Sequence, residues 1–269
     1  MRGFLVPRTE HMRLLLLTIL LFIGPRAEAQ RWVEQFQDGA FTFRSEFAIR
    51  KEPLIRDLSQ IKQELEQKLK LKIGKAPIEV LLFANQRRYL AAVRKQVPSA
   101  ANRRALFVKT AEGSRVYAFK SRTLFDADIR HECTHALVHN SVNFIPLWLD
   151  EGLAEYFELK AGTRVRPARL NEVRNIIRFG PLSRGRHSLP ELESLNDIGQ
   201  MRTQEYRDSW AWVHYLLNDP TQEYVARRVL VSYLSEIQKG NPPGPFSKYF
   251  ERYIPHGDTR LVQHFRYFR

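Results

Sequence analysis

A chain of 269 residues with 43% hydrophobic and 12% aromatic residues has ample material for a buried core, which argues against intrinsic disorder. Its net charge of +14 suggests either a solvated basic surface or attraction to anionic surfaces such as envelope polymers or acidic proteins. No nucleic-acid-binding module accompanies that charge, and Cys133 is the only cysteine, so no intramolecular disulfide can form.

The chain opens on a leader pattern. Arg2, Arg8 and Arg13 precede the apolar run 14–23, and Ala27-Glu28-Ala29 supplies small residues in the arrangement that signal peptidase reads. A signal peptide over 1–29 is therefore predicted, cleaved after Ala29, with Met12 an alternative start. The run is half the roughly 20 residues that a bilayer-spanning helix needs, so no stable transmembrane anchor is expected. The leader holds four arginines and two acids, which leaves +12 for residues 30–269. Export without disulfides fits a bacterial periplasmic or secreted protein.

Beyond the leader, residues 40–47 read as a strand rich in aromatics. Leu54, Leu58, Ile61, Leu65 and Leu69 then recur at helical spacing through about Ile73, with Pro53 in the first turn and Gly74 and Pro77 as the stop. Residues 78–83 form an apolar strand, and Asn85 caps a helix that ends at Pro98. Residues 105–110 and 115–120 flank a Gly-containing loop, as in a β-hairpin. A helix beginning at Asp126 or Asp128 follows, and Pro146 opens another over 147–160. Residues 161–197, rich in Arg, Gly, Pro and Ser, read as a surface excursion with a short helix near 170–177. Helices over 205–217 and 223–239, a Pro/Gly break at 241–245 and a short end segment complete the chain.

His131-Glu132-Cys133-Thr134-His135 is an H-E-x-x-H sequence. On a helix its two histidines lie on one face about 6 Å apart, where two imidazoles can converge on one metal ion. Glu132, about 100° around the helix, is placed to act as general base toward an attacking water. Downstream, the apolar helix around Leu147-Trp148-Leu149-Asp150-Glu151-Gly152-Leu153-Ala154-Glu155 carries acids at four-residue spacing. Buried carboxylates are costly unless paired or metal-bound. Glu151 as third ligand, and Glu155 as acceptor for a ligand histidine's free N–H, account for both. Two imidazoles and one carboxylate with an open position make a catalytic Zn2+ site.

H-E-C-T-H followed, after twelve residues, by W-L-D-E-G-L-A-E-Y-F, so that fifteen residues separate His135 from Glu151, resembles the gluzincin zinc metallopeptidases, the peptidase MA-like group of thermolysin and aminopeptidase relatives. The resemblance is strong over 128–158. It implies a zincin-like fold, zinc held by His131, His135 and Glu151, Glu132 as general base and Glu155 beside a ligand histidine. It also suggests Tyr206, or else His214, as the donor to the oxyanion, and an edge strand at 115–120 that pairs with extended peptide substrate. Gly-x-Met-Glu-Asn, the exopeptidase signature, is absent, so aminopeptidase specificity is not implied.

Two other residues are set aside. His139 lies about 12 Å along the helix from His131, too far to share one ion, and reads as core-lining or as part of a second site. Cys133 falls on the side of the helix away from the metal, as a small buried hydrophobe. The whole reads as one α+β domain over 30–269. A small N-terminal mixed sheet (30–125) packs on the H-E-x-x-H helix and its partner (126–160), and a mostly helical lobe (161–269) follows. The expected activity is exported, zinc-dependent hydrolysis of peptide or protein substrates. The alternatives are a metal-binding pseudo-peptidase and a cationic envelope-binding protein with a structural metal.

Overall fold

The computed structural model describes residues 32–98, 103–162, 164–179, 188–219 and 224–268; the predicted leader lies outside them. The first two strands, β1 (Glu34–Asp38) and β2 (Phe41–Ser45), form a hairpin turned at Gly39, whose φ of 56° suits a residue without a Cβ. The sequence reading missed β1, because Phe36 is its one large apolar residue. It is held to the sheet edge by pairing with β2 and by Phe36 stacking on Phe43 at 4.6 Å.

Helix α1 (Lys51–Lys68) carries the chain to β3 (Ile78–Phe83), burying Leu58, Ile61 and Leu65. It stops earlier than Gly74 and Pro77 suggested, since Lys70 adopts a left-handed φ of 57° that breaks the helix. Helix α2 (Gln86–Gln96) starts where expected, with Asn85 Oδ1 accepting from the Arg88 amide at 3.1 Å. Strands β4 (Ala105–Lys109) and β5 (Ser114–Phe119) then close a five-stranded mixed sheet of order β1-β2-β3-β5-β4. β2, β3 and β5 run parallel, while the two hairpin partners are antiparallel.

This order corrects the expectation that residues 115–120 form the sheet edge. β5 is interior, paired on both sides, and β4 is the edge strand. Val116, Tyr117 and Ala118 are all buried, so both faces of β5 are covered, as befits an internal strand.

The strands divide their side chains between two cores. Val80, Leu82, Val116 and Ala118 face α1 and helix α3 (Phe125–His139), whereas Leu81, Phe83 and Tyr117 pack with Tyr89 and Val93 of α2. Helix α4 (Leu147–Phe157) packs on α3. Helices α5 (Pro167–Phe179), α6 (Leu189–Glu193), α7 (Thr203–Asn218), α8 (Val225–Gln238), α9 (Phe246–Glu251) and α10 (Gly257–Tyr267) make the C-terminal part mainly helical. The expected short end segment is in fact α9 and α10, with Phe246, Phe250, Leu261 and Phe265 buried in the main core. None of the helices among the described residues is long and apolar enough to cross a membrane.

Candidate metal centre

Helix α3 is buried on nearly every side from Ile129 to Val138, so polar side chains on it need partners. Cys133 faces the core, fully buried, and burial pushes its thiol pKa far up, which leaves it an inert apolar filler. His131 and His135 stand on the opposite side with ring centroids 5.0 Å apart. Both turn Nε2 toward Glu151 of α4, at 3.5 Å and 3.7 Å from the same Oε2. Metal–ligand bonds of about 2.0–2.1 Å at tetrahedral angles separate ligand atoms by about 3.4 Å. These two separations are close to that spacing, and His131, His135 and Glu151, with one ligand atom each within 4.8 Å of the others, could together hold a metal ion.

Each imidazole has a carboxylate beside its Nδ1, in ion-pair contact. His135 Nδ1 lies 2.9 Å from Asp150 Oδ1, and His131 Nδ1 lies 3.3 Å from Glu158 Oε2. A carboxylate on Nδ1 keeps the proton there and leaves the Nε2 lone pair free for a metal. Glu155 stands beside His131 together with Glu158, one ligand atom of each lying within 4.8 Å of the others. Its Oε2 pairs with Arg169, and Glu158, three residues on, makes the closer contact with His131 Nδ1. Glu158 is itself fixed by Arg166, 2.5 Å from its other oxygen. Arg130 anchors the same corner: its Nε donates to the Glu158 carbonyl at 2.6 Å and its Nη1 to Asp57 of α1 at 2.8 Å.

The electrostatics describe a site that requires positive charge. Burial opposes charging of His131, but Glu151 and Glu158 outweigh it and lift its pKa to about 10. His135 is likewise raised against burial by Asp150 and Glu151. Burial would raise Glu151, yet the two histidines bring it down to about 2. A divalent cation meets the same demand for positive charge while leaving the imidazoles neutral, so the donor set fits zinc.

Glu132 is 9% exposed and makes no hydrogen bond or ion pair among the described residues. Burial, aided by Glu151, raises its pKa against the pull of His131, His135 and Arg103. Tyr206, in the first turn of α7, is close enough to feel Glu151, Glu155 and Glu132. Burial first and these acids second push its phenol above the usual range, so it stays a donor.

Tyr206 reaches this place because α7 packs closely on α4. A Cβ on Gly152 would meet Ser209 O and Val213 Cγ2, each at 2.7 Å, and Tyr206, Ser209 and Val213 share one helical stripe. His214 does not join the site. It is buried with Nδ1 2.9 Å from His264 Nε2, among Trp210, Phe265 and Phe268.

Sequence reasoning did not single out Asp150, Glu158, Arg130 or Phe107, whose ring stacks on His135 at 5.9 Å. The run of four acids on and just past α4 was the available signal, but which acid meets which imidazole depends on how α3 and α4 cross. No curated protein matches the chain. Residues 126–237, less than half of the chain but including all three donor residues, Glu132 and Tyr206, match the family described as a protein of unknown function (DUF1570).

Proposed function

We propose that the protein is a zinc-dependent peptidase of the gluzincin type, exported by the leader at 1–29. The observation that carries this reading is the meeting of His131 Nε2, His135 Nε2 and one Glu151 oxygen beside a buried carboxylate, Glu132, that makes no hydrogen bond or ion pair among the described residues. A structural metal site needs no unpaired acid next to it; a hydrolytic one does.

Zinc bound there supplies the Lewis acidity that lets water attack an amide at neutral pH. Glu132 takes the proton of the attacking water and delivers it to the leaving amine nitrogen. Its raised pKa suits it to hold that proton between the two transfers. Tyr206, kept protonated, donates its O–H to the oxygen on which charge develops. Asp150 and Glu158 fix the histidine rings so that none of this geometry must be assembled during the reaction. The outer edge of β4, which pairs with no further strand among the described residues, offers backbone groups to an extended peptide.

The test is Glu132→Gln in the purified protein, assayed on a peptide library with and without chelator. Turnover should fall by about 10³-fold or more while zinc content stays at one equivalent. Peptide cleavage at the parent rate by this variant would sink the mechanism. Unfolding of the parent on chelation, with no chelator-sensitive cleavage beforehand, would instead identify a structural metal.

A further inference from the structure

The metal face of α3 does not end at His135. His139, one turn on, turns Nε2 to 2.9 Å from Asp150 Oδ2, while the other oxygen of that carboxylate lies 2.9 Å from His135 Nδ1. A single carboxylate therefore reads two histidines at i and i+4, one through each oxygen. Phe107, on the edge strand β4, stacks on both rings, at 5.9 Å from His135 and 5.1 Å from His139. Lys109 of the same strand donates to the His139 carbonyl at 2.8 Å, tying the end of α3 to the sheet. His139 also lines a cavity of about 650 Å³ together with Asp150, Phe144 and Leu195.

We propose that His139 is a positioning residue for the metal centre, acting through Asp150 on His135. This inference rests on the reading of His131, His135 and Glu151 as a metal site. An ionised carboxylate is acceptor-only, so His139 Nε2 donates to Oδ2, while His135 Nδ1 meets Oδ1 as an ion-pair contact at 2.9 Å without hydrogen-bond geometry. With Oδ2 held by His139, the Oδ1 edge of Asp150 stays beside His135 Nδ1, where its charge favours the proton on that nitrogen. Without the His139 N–H, Oδ2 loses its donor in a half-buried place, and the carboxylate is free to turn. A packing role alone makes no use of the nitrogen, and an apolar side chain of similar size would serve it equally well.

The experiment compares the purified parent with His139→Leu and His139→Gln, measuring zinc affinity by competition with a chromophoric chelator and the stability of the metal-free protein. Glutamine places an amide N–H near the position of the imidazole Nε2 and can donate to Asp150. His139→Leu should bind zinc at one equivalent with roughly tenfold weaker affinity, the low end of the range for residues that orient a metal ligand. His139→Gln should recover to within about threefold of the parent by the same reasoning. Zinc affinity unchanged in His139→Leu, or lost equally in both variants, overturns the positioning role. A parent that takes up no zinc, and is indifferent to His131→Ala and Glu151→Ala, overturns the metal centre itself and is told apart by that result.

Discussion

Tyr206 carries a prediction that separates binding from chemistry. Its phenol lies near Glu151 and Glu132 but outside the three donors, so replacing it removes a hydrogen-bond donor and leaves the metal's ligands intact. Tyr206→Phe should lower kcat on the order of 10²-fold, the usual cost of one oxyanion donor, with zinc affinity unchanged. Steady-state kinetics beside metal titration check this, and parental kcat in the variant would remove Tyr206 from the mechanism. At this scale the sequence was informative wherever one element sets the geometry. The pairing of His131 with His135 follows from helical periodicity alone, and Glu151 from the cost of an unpaired acid on an apolar helix. Asp150 and Glu158 were hidden for the converse reason. Four acids between 150 and 158 could each have faced an imidazole, and only the relative rotation of α3 and α4 gives Nδ1 of His135 to one and Nδ1 of His131 to another.

Among elements, the approach of α4 to α7 brings Glu151 and Tyr206 into one site. Gly152 permits it, since a Cβ there would stand 2.7 Å from the Ser209 carbonyl oxygen, a backbone atom that moves only if the helix moves. Gly152→Ala gains helix propensity, worth about 1 kcal/mol. The overpacking it causes, about 1–3 kcal/mol, opposes that gain, and separation of the helices displaces Tyr206 from Glu151. The expected outcome is a lower urea midpoint with unchanged slope and a fall in kcat toward that of Tyr206→Phe. A variant more stable than the parent with full kcat would show that α7 need not approach so closely. Elements also differ in how readily the sequence betrays them. α2 and the start of α4 were legible, because Asn85 and Pro146 punctuate them. β1 was not, because Glu34-Gln35-Phe36-Gln37-Asp38 reads as loop until β2 pairs with it, although Asp38-Gly39 was a hairpin signal in plain view.

Across the whole molecule, two sets of histidines pull stability in opposite directions with pH. His214 and His264 join α7 to α10 in an aromatic cluster, and burial lowers their pKa values to about 3 and about 4 from an ordinary value near 6.5. Both are neutral in the folded protein, so the unfolded chain takes up protons first as the pH falls. Their contribution is complete above about pH 6.5 and is lost as the pH drops toward the folded values. Between pH 7 and pH 5 the loss is on the order of 2 kcal/mol for each histidine. In the metal-free protein His131 behaves in reverse. Its raised folded value means that its contribution is present below about pH 6.5 and disappears as the pH rises toward 10. A pH titration of the parent alone therefore mixes the two, and a difference between proteins isolates the buried pair. His264→Gln keeps a polar partner for His214 Nδ1 but removes one titrating group. Urea unfolding at pH 7 and pH 5, with zinc state matched, should find the variant less stable at pH 7, yet losing about 2 kcal/mol less than the parent between the two values. An equal loss in both proteins would mean that acid sensitivity arises elsewhere, and that the α7–α10 junction tolerates a charged imidazole despite its burial.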